Sequence, residues 1–153
     1  MPKLFQGISG ISLLKQKNYK INMHSASCTL KMDKKRIEQL KRIANDIRKE
    51  SIIITHRAQS GHLGGSLSEA DLLAALYFYK MNIDPKKPHW EGRDRFVLSK
   101  GHASPAYYAA LAMKGFFPKE ELKTFRKINS RLQGHPELEV PGVDFAGGSL
   151  GQG

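Results

Sequence analysis

The stretch "FVLSKGHASPAYYAALAMKG" at residues 96–115 constrains the fold more than any other part of this chain. Residues 96–99 are short and β-prone, which predicts a strand. Just beyond them, Ser104 is placed to cap a helix and Pro105 to occupy its first position, where the N–H that proline lacks has no partner anyway. Gly115, directly after Lys114, supplies the residue that stops it. A strand running through a tight turn into a helix argues for α/β architecture.

Upstream, a helical period begins at Asp33, the expected N-cap. Ile37, Leu40, Ala44, Ile47, Ser51 and Ile54 recur at three- and four-residue steps, while Lys34, Lys41, Arg48 and Lys49 fall largely elsewhere, so one face is buried. The isoleucine run at 52–54 widens that face and predicts deeper burial near the helix end. A second helix is expected from "SEAD" at 68–71, in which Ser68 caps and Asp71 reaches back as a capping box, ahead of "LLAALYFYK" and an end near Lys80. "MNIDPKKPHWEGRDR" then reads as a surface connection. Pro118 opens a further helix, with Glu120 and Glu121 in its first turn, where the dipole favours negative charge. After residue 125 there is little regular period.

The 153 residues, 40% hydrophobic and 25% charged, suffice for one modest core, so one domain or part of one is expected. No apolar run approaches the roughly 18 residues of a membrane span. The single cysteine, Cys28, excludes an internal disulfide and fits a reducing compartment, hence a cytoplasmic expectation. Net charge is +11, of which five lysines and no acid in residues 1–32 carry +5. The other 20 basic and 14 acidic residues are intermingled along the helices without an Arg-rich block, the pattern of solvated faces rather than of a nucleic-acid stripe. Residues 1–32 have no sustained helical period. Their serines and lysines suggest a transit peptide, but arginine is missing; a disordered or misassigned leader, with Met32 as the alternative start, is the preferred reading.

Three of the six histidines follow a glycine: His62 in "SGHLGGS", His102 in "KGHASP" and His135 in "QGHPE". At an average glycine usage of roughly 7%, chance gives about half of one such pair. Glycine lets other groups approach the backbone closely, which favours a presented imidazole over a packed one. His102 precedes a helix start, whose free N–H groups and positive dipole end suit phosphate; a ring that only caps or packs the turn is the alternative. His62 is either held by a backbone carbonyl or available to move a proton during catalysis. His135 precedes Pro136, which stiffens its turn. The spacings, about forty and about thirty residues, match no usual zinc pattern. His24, His56 and His89 lack glycine context and receive no role. The terminal "GGSLGQG" permits close approach of backbone to a ligand, but it lacks the lysine of a Walker loop and the strand and helix of a dinucleotide fingerprint.

In order and spacing, "SGHLGGSLS", "DPKKPHWEGRDRFVLSKGHASPAYYAAL", "LQGHPE", "PGVDF" and "GSLGQG" resemble the amino-terminal section of transketolase. They resemble more particularly the amino-terminal subunit of the split, two-chain transketolases, from about residue 36 onward. The resemblance implies a thiamine diphosphate-binding α/β fold with helices around a parallel sheet, incomplete and helix-rich in the part present. Residues 33–153 would be a partial amino-terminal domain. By position, His62 resembles the family histidine that faces the sugar substrate and assists proton transfer, and His135 one that binds the substrate near its first carbons. His102 resembles the contact to the cofactor diphosphate, while Gly148 and Leu150 correspond to positions lining the aminopyrimidine and thiazolium. "AGG" at 146–148 departs from the Thr-Thr-Gly or Ser-Thr-Gly more usual there, so a hydroxyl is missing from that loop.

The family holds magnesium with a "GDG" motif and a later Asn, and neither occurs before Gly153, so no metal ligand is assigned in this chain. The implied activity is transfer of a two-carbon ketol unit from a ketose phosphate to an aldose phosphate, within pentose phosphate metabolism, with thiamine diphosphate and magnesium as cofactors. The implied partners are sugar phosphates, a carboxy-terminal transketolase subunit or domain that carries the activating glutamate, and a second copy in a dimer or heterotetramer. Neither nucleic acid nor a membrane is expected. Within the family, a deoxyxylulose phosphate synthase-like activity is the alternative, against which "LQGHPE" speaks. From a different class, the alternative is a truncated and catalytically inert chain.

Overall fold

The computed structural model describes residues 33–148. Helix α1 (Lys34–Ala58) starts as the sequence predicts, with the Asp33 side chain accepting from the Lys35 N–H at 3.2 Å, and it stops at Gln59 in the left-handed region. Leu40, Ala44, Ile47, Ser51 and Ile54 form its buried stripe, and Ile37 is half-buried. Fully burying each large apolar side chain contributes about 1.5–3 kcal/mol. Ser51 is tolerated in the stripe because its hydroxyl donates to the Ile47 carbonyl at 2.7 Å. The expected widening does not occur: Ile52 is 46% and Ile53 40% exposed. Successive helical positions rotate by about 100°, so neighbours of a stripe residue leave its face.

Helix α2 (Leu63–Ala75) begins ahead of the expected Ser68 cap, with His62 in the N-cap position and no side-chain capping bond. Ser68 lies inside the helix and donates to the Gly65 carbonyl at 2.9 Å, while Asp71 pairs with Arg48 of α1 instead of closing a capping box. The glycines that look like helix breakers are used for packing. A Cβ at Gly65 would stand 3.2 Å from the Ala103 Cβ and 3.5 Å from His102 Nε2. The helix passes into a π-helical turn, Leu76–Lys80, closed by the Met81 N–H on the Leu76 carbonyl at 2.8 Å, so its end falls where the sequence predicts.

Helix α3 (Ser104–Lys114) meets the expectation at Gly115, whose φ of 101° and N–H to the Ala112 carbonyl, with the Phe116 N–H on the Leu111 carbonyl, close the C-terminus, while Pro105 lies in the first turn one position later than expected, because the helix already begins at Ser104. Ser104 is not its cap. A 3₁₀ turn, Gly101–Ala103, runs straight into the helix, and the Ser104 hydroxyl donates instead to the Gly134 carbonyl at 2.8 Å. Residues 104–112 are all buried, so α1, α2 and the later loops pack around α3. Lys119–Thr124 forms a 3₁₀ segment, not an α-helix, and its Glu121 carboxylate accepts from Arg131 Nε at 2.5 Å and Nη2 at 2.8 Å.

The strand expected at 96–99 does not form, and no strand occurs among the described residues. A β-prone segment becomes a strand only against a partner's ladder; here the Phe96 N–H goes to Asp144 Oδ2 at 2.8 Å. Asp144 also pairs with Arg93, their side chains 3% and 7% exposed. The surface connection read at residues 81–95 therefore ends in a buried ion pair. Beside it the Tyr107 hydroxyl donates to the Gly142 carbonyl at 3.0 Å, and burial pushes both Tyr107 and Tyr77 above the ordinary phenol range, so both remain neutral donors. None of the described helices is long and apolar enough to cross a membrane.

Replacing Asp144 by Ala leaves the Arg93 guanidinium buried without its counter-charge. The expected loss is about 3–5 kcal/mol of unfolding free energy, measured by denaturant titration of the 153-residue chain; a variant as stable as its parent contradicts the pairing.

Candidate functional site

The 3₁₀ turn Gly101–Ala103 is the meeting point of the site. Helix α2 grips it from one side: the Ser66 hydroxyl donates to the Ala103 carbonyl at 3.3 Å, and Lys100 Nζ lies 3.2 Å from Glu69 Oε2 and 3.5 Å from Ser68 Oγ. At the head of α2, the ring of His62 stands 6.3 Å from that of His102, edge-on at 82°. No described residue hydrogen-bonds either ring.

From the other side α3 fixes the loop that carries His135. The Tyr108 hydroxyl lies 3.0 Å from the Gln133 carbonyl and 3.1 Å from the His135 carbonyl, and the Ser104 bond holds Gly134 between them. The ring edge of His135 then rests on Gly101, where an added Cβ would stand 2.7 Å from His135 Cδ2 and 2.9 Å from the Gly148 Cα. Gly148, at φ 91°, presses its own backbone onto that of Gly101, a contact that any side chain at either position would break. The structure thus brings His62, His102, His135 and Gly148 together around one turn. His102 is half-buried, and His62 and His135 are exposed. Leu150 lies outside the described residues, as does the segment 1–32.

Two members of this constellation, Glu69 and its partner Lys100, were not legible as site residues. Glu69 is 7% exposed, and burial pushes its carboxyl above the usual value of 4.5, opposed by the hydrogen bond and charge of Lys100; its Oε1 has no partner among the described residues. The one signal was an acid lying on the buried side of α2, with Ser66, Ala70 and Leu73. Chemically, the donors at this turn are the Lys100 ammonium and the imidazoles, a set that fits a phosphorylated, anionic group, while the N–H groups of Gly101, Ala103 and Ser104 are taken up by the carbonyls of Ser99, Lys100 and Gly101. No group of three or more His, Cys, Asp or Glu among the described residues is placed to hold a metal ion. A separate cavity of about 570 Å³, lined by Glu121, Thr124, Lys127, Asn129 and Arg131 among others, contains none of the three histidines.

A helical core with this glycine-lined turn at the head of α3 is that of a cofactor-binding domain. Residues 39–153 match the family model described as "Transketolase, thiamine diphosphate binding domain", and the chain belongs to the transketolase family. It is 51% identical over 111 residues to the 6-deoxy-6-sulfo-D-fructose transketolase subunit SqwG of Clostridium sp. (strain MSTE9), covering 72% of this chain and 40% of that protein. It is 47% identical over 126 residues to the transketolase of Mus musculus, covering 80% of this chain and 20% of the relative. The crystal structure of Campylobacter jejuni transketolase superposes with a TM-score of 0.70 at 40% identity, over 80% of this chain and 19% of that one. The fold is therefore the α/β thiamine diphosphate-binding fold of transketolases, of which the described residues form a helical portion. The chain spans two fifths or less of the length of these relatives.

Gly101→Ala must displace residues 147 and 148 or the His135 ring. Overpacking of this kind costs about 1–3 kcal/mol, and the amide resonances of His135 and Gly148 are expected to move while those of residues 34–40 stay in place. Unmoved His135 and Gly148 signals contradict the close contact.

Proposed function

We propose that the complete protein is a transketolase that moves a two-carbon ketol unit from a ketose phosphate to an aldose phosphate, and that residues 33–153 are the diphosphate-binding part of it. The observation that carries this reading is the convergence of three Gly-His motifs on the turn that opens α3, in a chain of this family. His102 would hold the diphosphate of thiamine diphosphate, and Gly148 and Leu150 would line its rings. That cofactor supplies a nucleophilic carbon and an electron sink; binding, orientation and proton movement are left to the protein.

His62, exposed beside His102, hydrogen-bonds the sugar hydroxyls and assists proton transfer. His135 binds the substrate near its first carbons. Magnesium would neutralise the charge of the diphosphate, and none of the described residues is assigned to hold it. A carboxy-terminal subunit or domain and a second copy complete the assembly, a reading supported by the name of the Clostridium relative, a transketolase subunit. The setting is cytoplasmic sugar phosphate metabolism, in line with the pentose phosphate pathway.

A second reading, that the 153-residue chain alone does not turn over substrate, is favoured by the apolar surface it leaves open: Leu72 is 56% and Val97 58% exposed. Calorimetry of this chain with thiamine diphosphate and magnesium decides whether it binds cofactor by itself; tight, saturable binding removes the inert reading. In the enzyme completed by its partner, His62→Ala is expected to lower turnover by about 10²–10⁴-fold, the range for loss of a positioned acid or base. Unchanged kinetics with sugar phosphates rule out its role.

A further inference from the structure

We infer that Glu69 is a positioning residue, holding Lys100 and through it the turn that carries His102, so that the His102 ring stays fixed opposite His62. The tether itself is a matter of this chain's geometry; only its consequence for cofactor binding rests on the function proposed above.

A carboxylate 7% exposed is costly unless a counter-charge accompanies it. Among the described residues Glu69 has one such partner, the Lys100 ammonium at 3.2 Å, and its other oxygen has none. Lys100 could extend into water, since its side chain is 45% exposed, yet it folds back onto α2. The need for pairing is therefore on the side of the acid, and the acid is built into a helix. Ser66, one turn earlier on the same helix, holds the Ala103 carbonyl at 3.3 Å. The two attachments stand on either side of His102: Lys100 before it and Ala103 after it. Between them Gly65 lets the ring approach α2, its built Cβ 3.5 Å from His102 Nε2. A turn tied at both ends holds the His102 backbone against α2, which keeps the base of the imidazole facing His62.

The test is a nuclear Overhauser measurement on the isotopically labelled 153-residue chain. The parent is expected to show a cross-peak between the ring protons of His62 and His102. Glu69→Ala and Lys100→Met are each expected to lose it while the core contact between the rings of Tyr77 and Phe96, whose centroids are 5.7 Å apart, persists. Glu69→Gln keeps an oxygen that accepts from Lys100 and is expected to retain the cross-peak. A cross-peak that survives in Lys100→Met overturns the proposal, as does its absence from the parent, even where thermal stability falls. Should either single variant fail to fold, the double variant Glu69→Gln/Lys100→Met, which removes the tether without leaving a buried carboxylate unpaired, is read in its place, and a cross-peak that survives in it overturns the proposal. The ring contact is read without cofactor, so a parent chain that shows the contact but does not bind thiamine diphosphate counts against the proposed function and leaves the tether standing.

Discussion

Residues 104–112 have no solvent face, and every other described element is arranged to satisfy that condition. A helix buried all round needs partners on each side. Helices α1 and α2 cover it with Ala44, Ile47, Ile54, Ala70 and Leu73, while Leu132, Val140 and Val143 approach from the loops that follow. Three tyrosines allow loops without regular structure to be so deeply packed. Tyr107 and Tyr108 carry their hydroxyls from α3 to the carbonyls of Gly142, Gln133 and His135, and Tyr77 meets Tyr107 at 3.3 Å. Backbone acceptors that a strand would satisfy in a ladder are satisfied here by side chains from the helix.

The site follows from the same packing. Because α3 is central, its first turn is where α2, the His135 loop and the segment ending at Gly148 can all arrive. Glycines at 65, 101 and 148 remove the side chains that would keep these backbones apart. The buried pair of Arg93 and Asp144 fixes the segment that leads to Gly148, and Asp144 also takes the Phe96 N–H, tying that segment to the one leading into Gly101. Stability and site geometry thus share residues.

Local chemistry decided what could be read in advance. Asp33 and Gly115 act on neighbours within one helical turn, and the structure bears out both; Pro105 falls in the first turn of α3, one position later than expected. The stripe of α1 was legible because its period is internal to the helix. The errors arose where distant segments decide. Ser68 has the chemistry of a cap, but α2 starts earlier because Gly65 is needed against His102. The β-prone residues 96–99 stay irregular because no described segment offers a ladder. Glu69 and Arg93 looked like surface charges, and only the fold shows that each is buried against an opposite charge. The three glycine-histidine pairs stand out as an anomaly of sequence, whereas their convergence depends on the turn at Gly101, which no local pattern reveals.

The central claim is that segments far apart in sequence close onto that turn. The most direct measurement is the set of nuclear Overhauser contacts made by the Gly101 α-protons in the parent chain. The account predicts cross-peaks from them to the His135 ring proton on Cδ2 and to the α-protons of Gly148, whose carbons lie within close contact of the position a Gly101 Cβ would take. Intact contacts within α3 together with no cross-peak from Gly101 to either residue would contradict it.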